Sequence, residues 1–322
     1  MNPRIAPDKP LLERRIAVLA GGIGAEREVS LQSGKHIAAA VAAAGFDVLT
    51  SDIRPDDLHV LDEPSIDVFF LALHGQFGED GQLQGILEQR RLVFTGSGSQ
   101  ASRLAFDKAA AKEVFGRAGA SVPRHVHLKD PSDRTGLKDR VTALGDRFVV
   151  KPAGQGSSVG VEIVADPDTA IEAAGLCLER YGPCLVEAFV PGREITVGIL
   201  NGRALPLIEI RSRNPFYDYQ AKYLDDTTEY RFETIDDAAL VEHIQRIAER
   251  CFSALGCRHL GRVDMILGED GVPYVLEINT LPGFTSHSLL PMAARQAGLN
   301  APALCTAIIE AAWADGRPRR TP

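Results

Sequence analysis

The first hundred residues alternate between short apolar runs and longer helix-like segments, and this alternation constrains the fold more than any other feature. "RRIAVLAGG" is an apolar run closed by glycines, and "SLQSGKHIAAAVAAAG" is an alanine-rich helix that Gly45 ends. "FDVLTSDI" and "DVFFLALHG" repeat the strand pattern, and the helix-like "GQLQGILEQRR" and the strand-like "LVFTGSG" follow. Alternation of this kind predicts an α/β fold with a parallel, doubly wound sheet.

A different pattern begins after the helix predicted over "SQASRLAFDKAAAKEVFGRAG". "RFVVKPAGQGSSVGVEIV" predicts two strands around a glycine-rich loop, and "DPDTAIEAAGLCLERYG" and "PCLVEAFV" predict a helix and a strand. From "GREITVGILNGRALPLIEI" onward the strands have an antiparallel pattern, and two helices follow them. We therefore predict an N-terminal α/β domain over residues 15–105 and two α+β subdomains over residues 106–193 and 194–315.

The stretch "GRVDMILGEDGVPYVLEIN", residues 261–279, predicts a β-hairpin. The dipeptide Asp270-Gly271 lies between two alternating apolar runs, which is the strongest short-range hairpin signal. Both central residues of a type I′ turn have positive φ, and Asp and Gly tolerate that conformation. The sequence therefore predicts a two-residue turn at this dipeptide.

Counting outward from that turn pairs Asp264 with Glu277 and Arg262 with Asn279, all on one face of the hairpin. Directly opposed Cβ atoms lie about 5 Å apart, so the two carboxylates repel each other unless a positive charge lies between them. Oxygen ligands from two acids and one amide suit Mg²⁺, which completes its shell with water and substrate phosphates. The alternative is a solvated face on which Arg262 is the ion-pair partner of the acids.

Two glycine-rich segments are candidate phosphate loops. "GGIGAERE" fails the dinucleotide fingerprint because Arg27 stands where the third glycine would be, and no Walker-type loop occurs. In "KPAGQGSSVG" a lysine, Lys151, ends one strand, and the glycines that follow allow the backbone to fold over an anion. A plain glycine-rich hairpin is the alternative, and Lys151 at its edge favours the anion site.

Residues 211–233 show neither helix nor strand periodicity. A structureless segment of this length inside a compact domain is usually functional or disordered. Its tyrosines are too numerous for ordinary disorder, so we predict a lid that carries Lys222 and Tyr223 onto a site.

Composition narrows the class of partner. The chain has 322 residues, 45% of them apolar, and a net charge of -8, which disfavours nucleic acid or an anionic membrane as the main partner. No apolar run approaches the roughly 20 residues that span a bilayer, and the first residues lack an apolar signal core, so we predict a cytoplasmic protein. The 5 cysteines are scattered without a Cys-x-x-Cys pair, which disfavours a disulfide framework or a zinc site.

Seven motifs, in order, resemble those of the D-alanine:D-alanine ligases, a family of ATP-grasp enzymes. They are "GGIGAEREVSLQSG", "HGQFGEDGQLQGILE", "TGSGSQASRLAFDK", "KPAGQGSSVGV", "FYDYQAKYL", "GRVDMIL" and "LEINTLPGFTSHSLLPMAARQAG". The resemblance runs from about residue 16 to the last helix. It implies an ATP-grasp fold in which the two α+β subdomains clamp the nucleotide.

The resemblance also implies how ATP drives the reaction. One D-alanine carboxylate attacks the γ-phosphate, and the amine of a second D-alanine attacks the resulting acyl phosphate. The residues implied to hold two Mg²⁺ or Mn²⁺ ions are Asp264, Glu277 and Asn279. Those implied to contact the phosphates are Lys108, Lys151 and Lys222. Those implied to contact the adenosine are Glu187, Ala188, Val190 and Glu194. Apart from the motif, Lys108 would be read as an exposed helix lysine.

For the amino acids, the resemblance implies that Glu26 binds the ammonium of the first substrate and that His74 lies near it. Taken alone, Glu26 would be a first-turn acid that favours the helix dipole, and His74 a turn residue. Tyr223 would join Glu26 and Ser157 in a hydrogen-bonded triad. Tyrosine at this position, where ester-forming relatives carry phenylalanine, favours an amine nucleophile.

The remaining implied residues act on the tetrahedral intermediate and on the second substrate. Arg262 and the N–H of Gly283 would form the oxyanion site. Ser288 and Leu289 begin the helix "LLPMAARQAG", whose N-terminus is suited to the second carboxylate. Capping alone would also explain Ser288.

One departure from the family pattern is Gly24, where the family usually has serine, and it puts affinity for the first substrate in doubt. Two rival functions remain open: a ligase that uses D-serine or D-lactate, and a nucleotide-binding regulator that has lost catalysis. Intact Arg262, Asp264, Glu277 and Asn279 count against the regulator. The resemblance further implies peptidoglycan precursor synthesis and a homodimer.

Overall fold

The computed structural model describes residues 10–24, 26–134, 136–156, 159–211, 228–285 and 287–316. The strands in the described chain are β1 (Arg15–Gly21), β2 (Asp47–Ile53), β3 (Val68–Leu71), β4 (His125–Leu128), β5 (Phe148–Pro152), β6 (Glu162–Val164), β7 (Cys184–Ala188), β8 (Gly192–Leu200), β9 (Arg203–Ala204), β10 (Ile208–Arg211), β11 (Glu229–Arg231), β12 (Leu260–Gly268) and β13 (Pro273–Asn279). The α-helices there are α1 (Arg27–Ala43), α2 (Gln82–Gln89), α3 (Ser99–Phe106), α4 (Lys108–Arg117), α5 (Leu137–Thr142), α6 (Pro167–Tyr181), α7 (Ala238–Ala254), α8 (Leu289–Gln296) and α9 (Ala301–Gly316).

The N-terminal sheet is parallel, in the order β2-β1-β3. Alternate residues of β1 point to opposite faces, so Ile16 and Val18 pack with α1 and α9, whereas Ala17 and Leu19 pack with α2. Helices therefore cover both faces, as the strand–helix alternation predicts. The strand predicted over "LVFTGSG" is shorter than expected, because only Phe94 forms a β-bridge, to Phe69.

The central sheet is antiparallel, in the order β4-β7-β5-β6. Its apolar face packs against α5 and α6. The glycine-rich segment does connect two paired strands, β5 and β6, as predicted.

The C-terminal sheet runs in the order β11-β10-β8-β12-β13, with β9 paired to β8, and all its pairs are antiparallel. Val263, Met265 and Ile195 point to the face that packs on Ile247 and Cys251 of α7. The residues that point to the opposite face include the polar Glu194, Thr196, Arg262 and Asp264, and the candidate site lies on that face.

One predicted helix is two. The segment "SQASRLAFDKAAAKEVFGRAG" breaks at Asp107, which has an extended backbone and caps α4 by accepting hydrogen bonds from the N–H groups of Ala109 and Ala110, at 3.0 and 3.1 Å. The break ends α3 at Phe106 and places Lys108 in the first turn of α4.

No helix in the described ranges is both long and apolar enough to cross a membrane. All five cysteines are free thiols, and four of them are buried.

Candidate active site

The β12–β13 hairpin has the predicted cross-strand pairs, but its turn differs from the prediction. Asp264 pairs with Glu277 and Arg262 pairs with Asn279, so the four side chains share one face. The turn is longer than two residues, since the N–H of Gly268 donates to the carbonyl of Val272 at 2.9 Å and encloses residues 269–271.

A β-bulge explains why the pairing survives the longer turn. Gly271 has φ +78°, whereas Asp270 does not have the positive φ that a type I′ turn requires. Leu276 is an extra residue in β13, because Val275 pairs with Met265 and Glu277 pairs with the next residue, Asp264. The extra residue in the turn and the extra residue in β13 offset each other, so Asp264 still pairs with Glu277 as predicted.

Each carboxylate of the central pair has a cationic partner from the chain itself. Arg262 donates from Nε and Nη2 to the two carboxylate oxygens of Asp264, at 2.8 and 2.7 Å. Thr196 Oγ1 donates to Asp264 Oδ1 at 2.6 Å. Lys108 Nζ lies 3.1 Å from Glu277 Oε2.

The ion pair of Arg262 with Asp264 is the one that the alternative to a metal site predicted, but the face is not solvated. The exposed fractions of the two side chains are 12% and 10%. The Glu277 side chain is more exposed, at 29%. Removing such charges from water is costly unless each one is compensated.

The hairpin oxygens suit a divalent cation. Among the described residues, Asn279 Oδ1 is a buried oxygen with no hydrogen-bond partner, and it lies on the same face as the two carboxylates. A buried acceptor without a donor is unfavourable unless another ligand completes it. No group of three or more His, Cys, Asp or Glu side chains in the described ranges could hold a metal ion, so the magnesium site stays a prediction.

Helix α4 connects the hairpin to the glycine-rich loop. Lys108 is buried at 9% exposure, so it is not an exposed helix lysine. Its Nζ donates to the carbonyl of Gln155 at 2.6 Å, and its N–H donates to the carbonyl of Ala153 at 2.9 Å. Lys108 thus contacts both Glu277 and the segment where we predict phosphate binding.

The central sheet carries a second buried acid. Glu187 Oε2 lies 3.0 Å from Lys151 Nζ, and Glu187 Oε1 lies 3.0 Å from Nζ of Lys112 on α4. Burial alone would raise the pKa of the Glu187 carboxyl, but Lys112 and then Lys151 outweigh burial, so this pKa lies below its ordinary value. Burial lowers the pKa of Lys112 to about 8, although Glu187 partly opposes the shift.

The other residues predicted to contact adenosine lie beside this pair. Ala188 and Val190 are half-buried at and after the end of β7, and Glu194 is half-buried in β8 on the same face as Asp264. The N–H of Ala188 donates to the carbonyl of Arg124 at 2.8 Å, so this N–H is already paired within the protein.

Glu26 lies where the N-terminal domain meets the glycine-rich loop. A Cβ on Gly75 would overlap the Glu26 carboxylate, and a Cβ on Gly156 would lie 3.2 Å from it. Glu26 occupies the N-cap position of α1 without a side-chain capping bond, so it is not a capping acid. Nearby Gly24 has φ +88° with no atom within 4 Å of a Cβ, so a serine here would adopt the left-handed conformation.

His74 is a buried, neutral residue in the same region. Its pKa is lowered to about 4, mainly by burial and with a smaller contribution from the positive charge of Arg262, against a backbone hydrogen bond with Leu281. His74 Nε2 lies 3.1 Å from Ser33 Oγ. Arg262 is therefore close to the pocket predicted for the first substrate.

Glu79 is a buried acid beside Glu26 that the sequence patterns did not single out. The N–H groups of Gly75 and Leu281 donate to its two carboxylate oxygens, at 2.7 and 3.3 Å. Burial and then the like charge of Glu26 raise the pKa of Glu79 to about 8. Its position in "HGQFGEDG", an acid inside a glycine-rich loop that ends a buried strand, was a signal that could have identified it.

Gly283 and Ser288 are adjacent, as an oxyanion site next to a carboxylate site requires. A Cβ on Gly283 would lie 2.8 Å from Ser288 Oγ. Ser288 is at the N-cap position of α8, but its Oγ accepts from the N–H of Thr285 at 2.9 Å and does not cap the helix. Leu289 buries its side chain, so its backbone is the part that can face a ligand. Ser157, Lys222 and Tyr223 lie outside the described residues.

Known proteins and family models match most of this chain. The family model described as D-ala D-ala ligase N-terminus matches residues 54–97, and the one described as D-ala D-ala ligase C-terminus matches residues 115–310. The D-alanine--D-alanine ligase of Aromatoleum aromaticum is 44% identical over 297 residues, which are 92% of this chain and 95% of that protein. That of Laribacter hongkongensis is 43% identical over 305 residues, 92% of this chain and 96% of that protein.

Solved structures show the same fold. The D-alanine--D-alanine ligase from Bacillus anthracis complexed with ATP has a TM-score of 0.82 and 36% identity, covering 94% of this chain and 98% of that one. The VanG D-Ala:D-Ser ligase from Enterococcus faecalis has a TM-score of 0.81 and 28% identity, covering 93% of this chain and 99% of that one.

The sheets and the lysine-lined acids between them define an ATP-dependent ligase with the ATP-grasp fold. More specifically, the chain belongs to the D-alanine:D-alanine ligase family. The family resemblance and the fold class predicted from the sequence are both confirmed.

Proposed function

We propose that the protein joins two D-alanine molecules to D-alanyl-D-alanine, with conversion of ATP to ADP and phosphate. The observation that carries this proposal is the Asp264–Glu277 pair on one face of the hairpin, because Arg262 pairs with Asp264 and Lys108 pairs with Glu277. Peptide bond formation from a free carboxylate is uphill, so the carboxylate must first become a better acyl donor. Phosphoryl transfer from ATP provides that activation.

Each step has residues suited to it. Glu26 pairs with the ammonium of the first D-alanine. The carboxylate of that D-alanine attacks the γ-phosphate with ADP as the leaving group, while Lys108 and Lys151 balance the charge on the phosphates. The amine of the second D-alanine then attacks the acyl carbon of the acyl phosphate. Arg262 and the Gly283 N–H stabilise the oxyanion before phosphate departs.

Two divalent cations would be held by Asp264, Glu277 and Asn279, whose oxygens are the hard ligands that Mg²⁺ and Mn²⁺ take. When bound, such ions neutralise developing charge on the transferring phosphoryl group. The buried acceptor of Asn279 without a protein donor supports this part of the proposal.

For the second substrate, D-serine is the other candidate, since the neighbour of 28% identity is a D-Ala:D-Ser ligase. Tyr223 favours an amine nucleophile over D-lactate, and it does not distinguish D-alanine from D-serine. Ser288 and Leu289 would place the second carboxylate at the start of α8.

Product analysis tests the reaction. With ATP, Mg²⁺ and an equimolar mixture of D-alanine, D-serine and D-lactate, we expect D-alanyl-D-alanine as the main product and one phosphate per dipeptide. Tyr223→Phe is the control, in which a larger share of ester is expected. Phosphate release without dipeptide would reject the ligase. Asp264→Ala is expected to abolish turnover, and a near-normal rate in that variant would contradict the metal assignment.

We further propose that the enzyme is a cytoplasmic homodimer that serves peptidoglycan precursor synthesis. Both substrates are small, charged cytoplasmic metabolites, which supports this location. Sedimentation at micromolar concentration tests the dimer: a mass of one chain at all concentrations would reject it.

A further inference from the structure

Lys112 is a buried lysine of the site with no role in the reaction described above. Its side chain is fully enclosed, and its Nζ lies 3.0 Å from Glu187 Oε1. The other oxygen of the same carboxylate lies 3.0 Å from Lys151 Nζ. One carboxylate is therefore held between two ammonium groups.

Lys112 and Lys108 occupy positions four residues apart on α4, so they lie on one face of the helix. Lys108 contacts Glu277 in the C-terminal sheet, and Lys112 contacts Glu187 in the central sheet. This face of α4 thus contacts an acid from each of the two sheets, on both sides of the predicted nucleotide site.

The charges around Lys112 do not sum to zero. The groups that face it are Glu187 from β7, Lys151 from β5 and, further away, Glu277 from β13. Glu277 has its own lysine, Lys108. The remaining three groups, two lysines and one glutamate, leave one unmatched positive charge in a site closed to water.

Without Lys112, the carboxylate of Glu187 would be matched by Lys151 alone. The charges of Lys151 and Glu187 would then cancel, and a phosphate would face a pair with no net charge. With Lys112 present, the charges of Lys112 and Glu187 match each other, and the charge of Lys151 stays unmatched. Burying a lysine is costly, so a lysine that only filled space here would be replaceable by an apolar side chain of similar length.

We propose that Lys112 is a positioning residue for ATP, which holds Glu187 through Oε1 and so leaves the charge of Lys151 to the phosphates of the nucleotide. This inference rests on the proposed contacts of Lys151 with phosphate and of Glu187 with adenosine. Lys112 itself touches neither the nucleotide nor the amino acids in this scheme.

The test measures binding of a non-hydrolysable ATP analogue with Mg²⁺ and binding of adenosine by calorimetry, in the full chain. The readout is the ratio of the dissociation constant for adenosine to that for the analogue, which isolates the contribution of the phosphates. Lys112→Met is expected to reduce this ratio about tenfold to hundredfold, the value of a charge-assisted contact. Adenosine affinity should change less than about twofold, because Lys151 still holds the Glu187 carboxylate through Oε2.

A double variant separates charge from structure. Lys112→Met with Glu187→Gln removes one charge of each sign, so Lys151 regains its unmatched charge and the ratio should return to within about threefold of wild type. That variant keeps the net charge of the wild-type cluster, so it tests the inference even if Lys112→Met does not fold. Lys138→Met is a matched control, because Lys138 belongs to an exposed ion pair with Asp168 in the same subdomain.

The outcomes are distinguishable. If Lys151→Met lowers the ratio and Lys112→Met does not, the inference fails while the proposed phosphate contact stands. If Lys151→Met leaves the ratio unchanged, the phosphate contact itself is wrong and the inference falls with it. An equal loss of analogue and adenosine binding in Lys112→Met, without recovery in the double variant, would show a purely structural lysine and overturn the inference.

Discussion

Arg262 serves several neighbours through one guanidinium group. It makes two parallel hydrogen bonds to Asp264. Its positive charge also acts to lower the pKa values of His74 and Glu79, although burial raises that of Glu79 overall. A planar, permanently charged fork can hold one carboxylate and still present donors elsewhere, whereas the ammonium of lysine acts as a point charge. The proposed oxyanion role therefore depends on arginine specifically.

Arg262→Lys is expected to lower kcat about a hundredfold, the usual effect of removing one oxyanion donor. The KM for ATP should change little, because Lys108 and Lys151 are unaltered. Steady-state kinetics check both values, and a kcat within about threefold of wild type would contradict the oxyanion role. Arg246→Lys is the matched control, since Arg246 is in an exposed ion pair with Glu242 on α7.

Two glycine-to-alanine substitutions should change different properties, one the binding of substrate and the other the stability of the fold. A Cβ on Gly283 would lie 2.8 Å from Ser288 Oγ, so Gly283→Ala is expected to displace Ser288 and raise the KM for the second D-alanine several-fold. Gly116 lies inside α4 with no atom within 4 Å of a Cβ, so Gly116→Ala should stabilise the fold by about 0.5–1 kcal/mol. Kinetics at varied D-alanine and thermal unfolding measure the two effects. An unchanged KM in Gly283→Ala would remove Ser288 from the site.

At the scale of elements, the sequence predicts the strands better than the joints between them. Alternation in "GRVDMILGEDGVPYVLEIN" identifies both strands and the face that carries Asp264 and Glu277. It does not reveal the three-residue turn or the bulge at Leu276, because both depend on how the two strands meet. The correct pairing came from two compensating differences.

Burial of charged residues was the other feature that local patterns could not predict. Lys112 is separated from Glu187 by 75 residues, and a charged helix residue is by default assigned to solvent. Only the packing of α4 against the two sheets shows that this lysine is enclosed. Lys108 was placed in the site by its motif, and its burial has the same origin.

Capping of α4 sets the position of Lys108. Asp107→Ala removes two hydrogen bonds at the N-terminus of α4 and is expected to cost about 1 kcal/mol of stability. The KM for ATP should also rise, because the helix start that carries Lys108 would fray. Asp237→Ala is the control, since Asp237 caps α7 in the same way and no proposed site residue lies on that helix. Equal effects of the two variants on KM would disconnect the cap from ATP binding.

At the scale of the whole molecule, His259 links segments that are far apart in the chain. Its Nδ1 accepts from the N–H of Gly96 at 3.1 Å, so its Nε2 carries the proton and donates to Asp315 at 3.0 Å. The N-terminal domain, the start of β12 and the end of α9 therefore meet at one imidazole. Burial lowers the pKa of His259 to about 4, and the neighbouring Arg258 acts in the same direction against Asp315.

This shift predicts acid sensitivity of the assembled fold. The folded protein binds fewer protons at His259 than the unfolded chain, so the stability that His259 contributes is complete above pH 6.5 and is lost as the pH falls towards 4. The change from 6.5 to about 4 corresponds to about 3 kcal/mol. His259→Asn, in which asparagine tolerates the positive φ of this position, removes the titrating group. The difference in free energy of unfolding between wild type and this variant should therefore shrink by that amount between pH 6.5 and 4. Urea unfolding at a series of pH values measures it, and a difference that stays constant with pH would mean that His259 titrates normally in the folded protein.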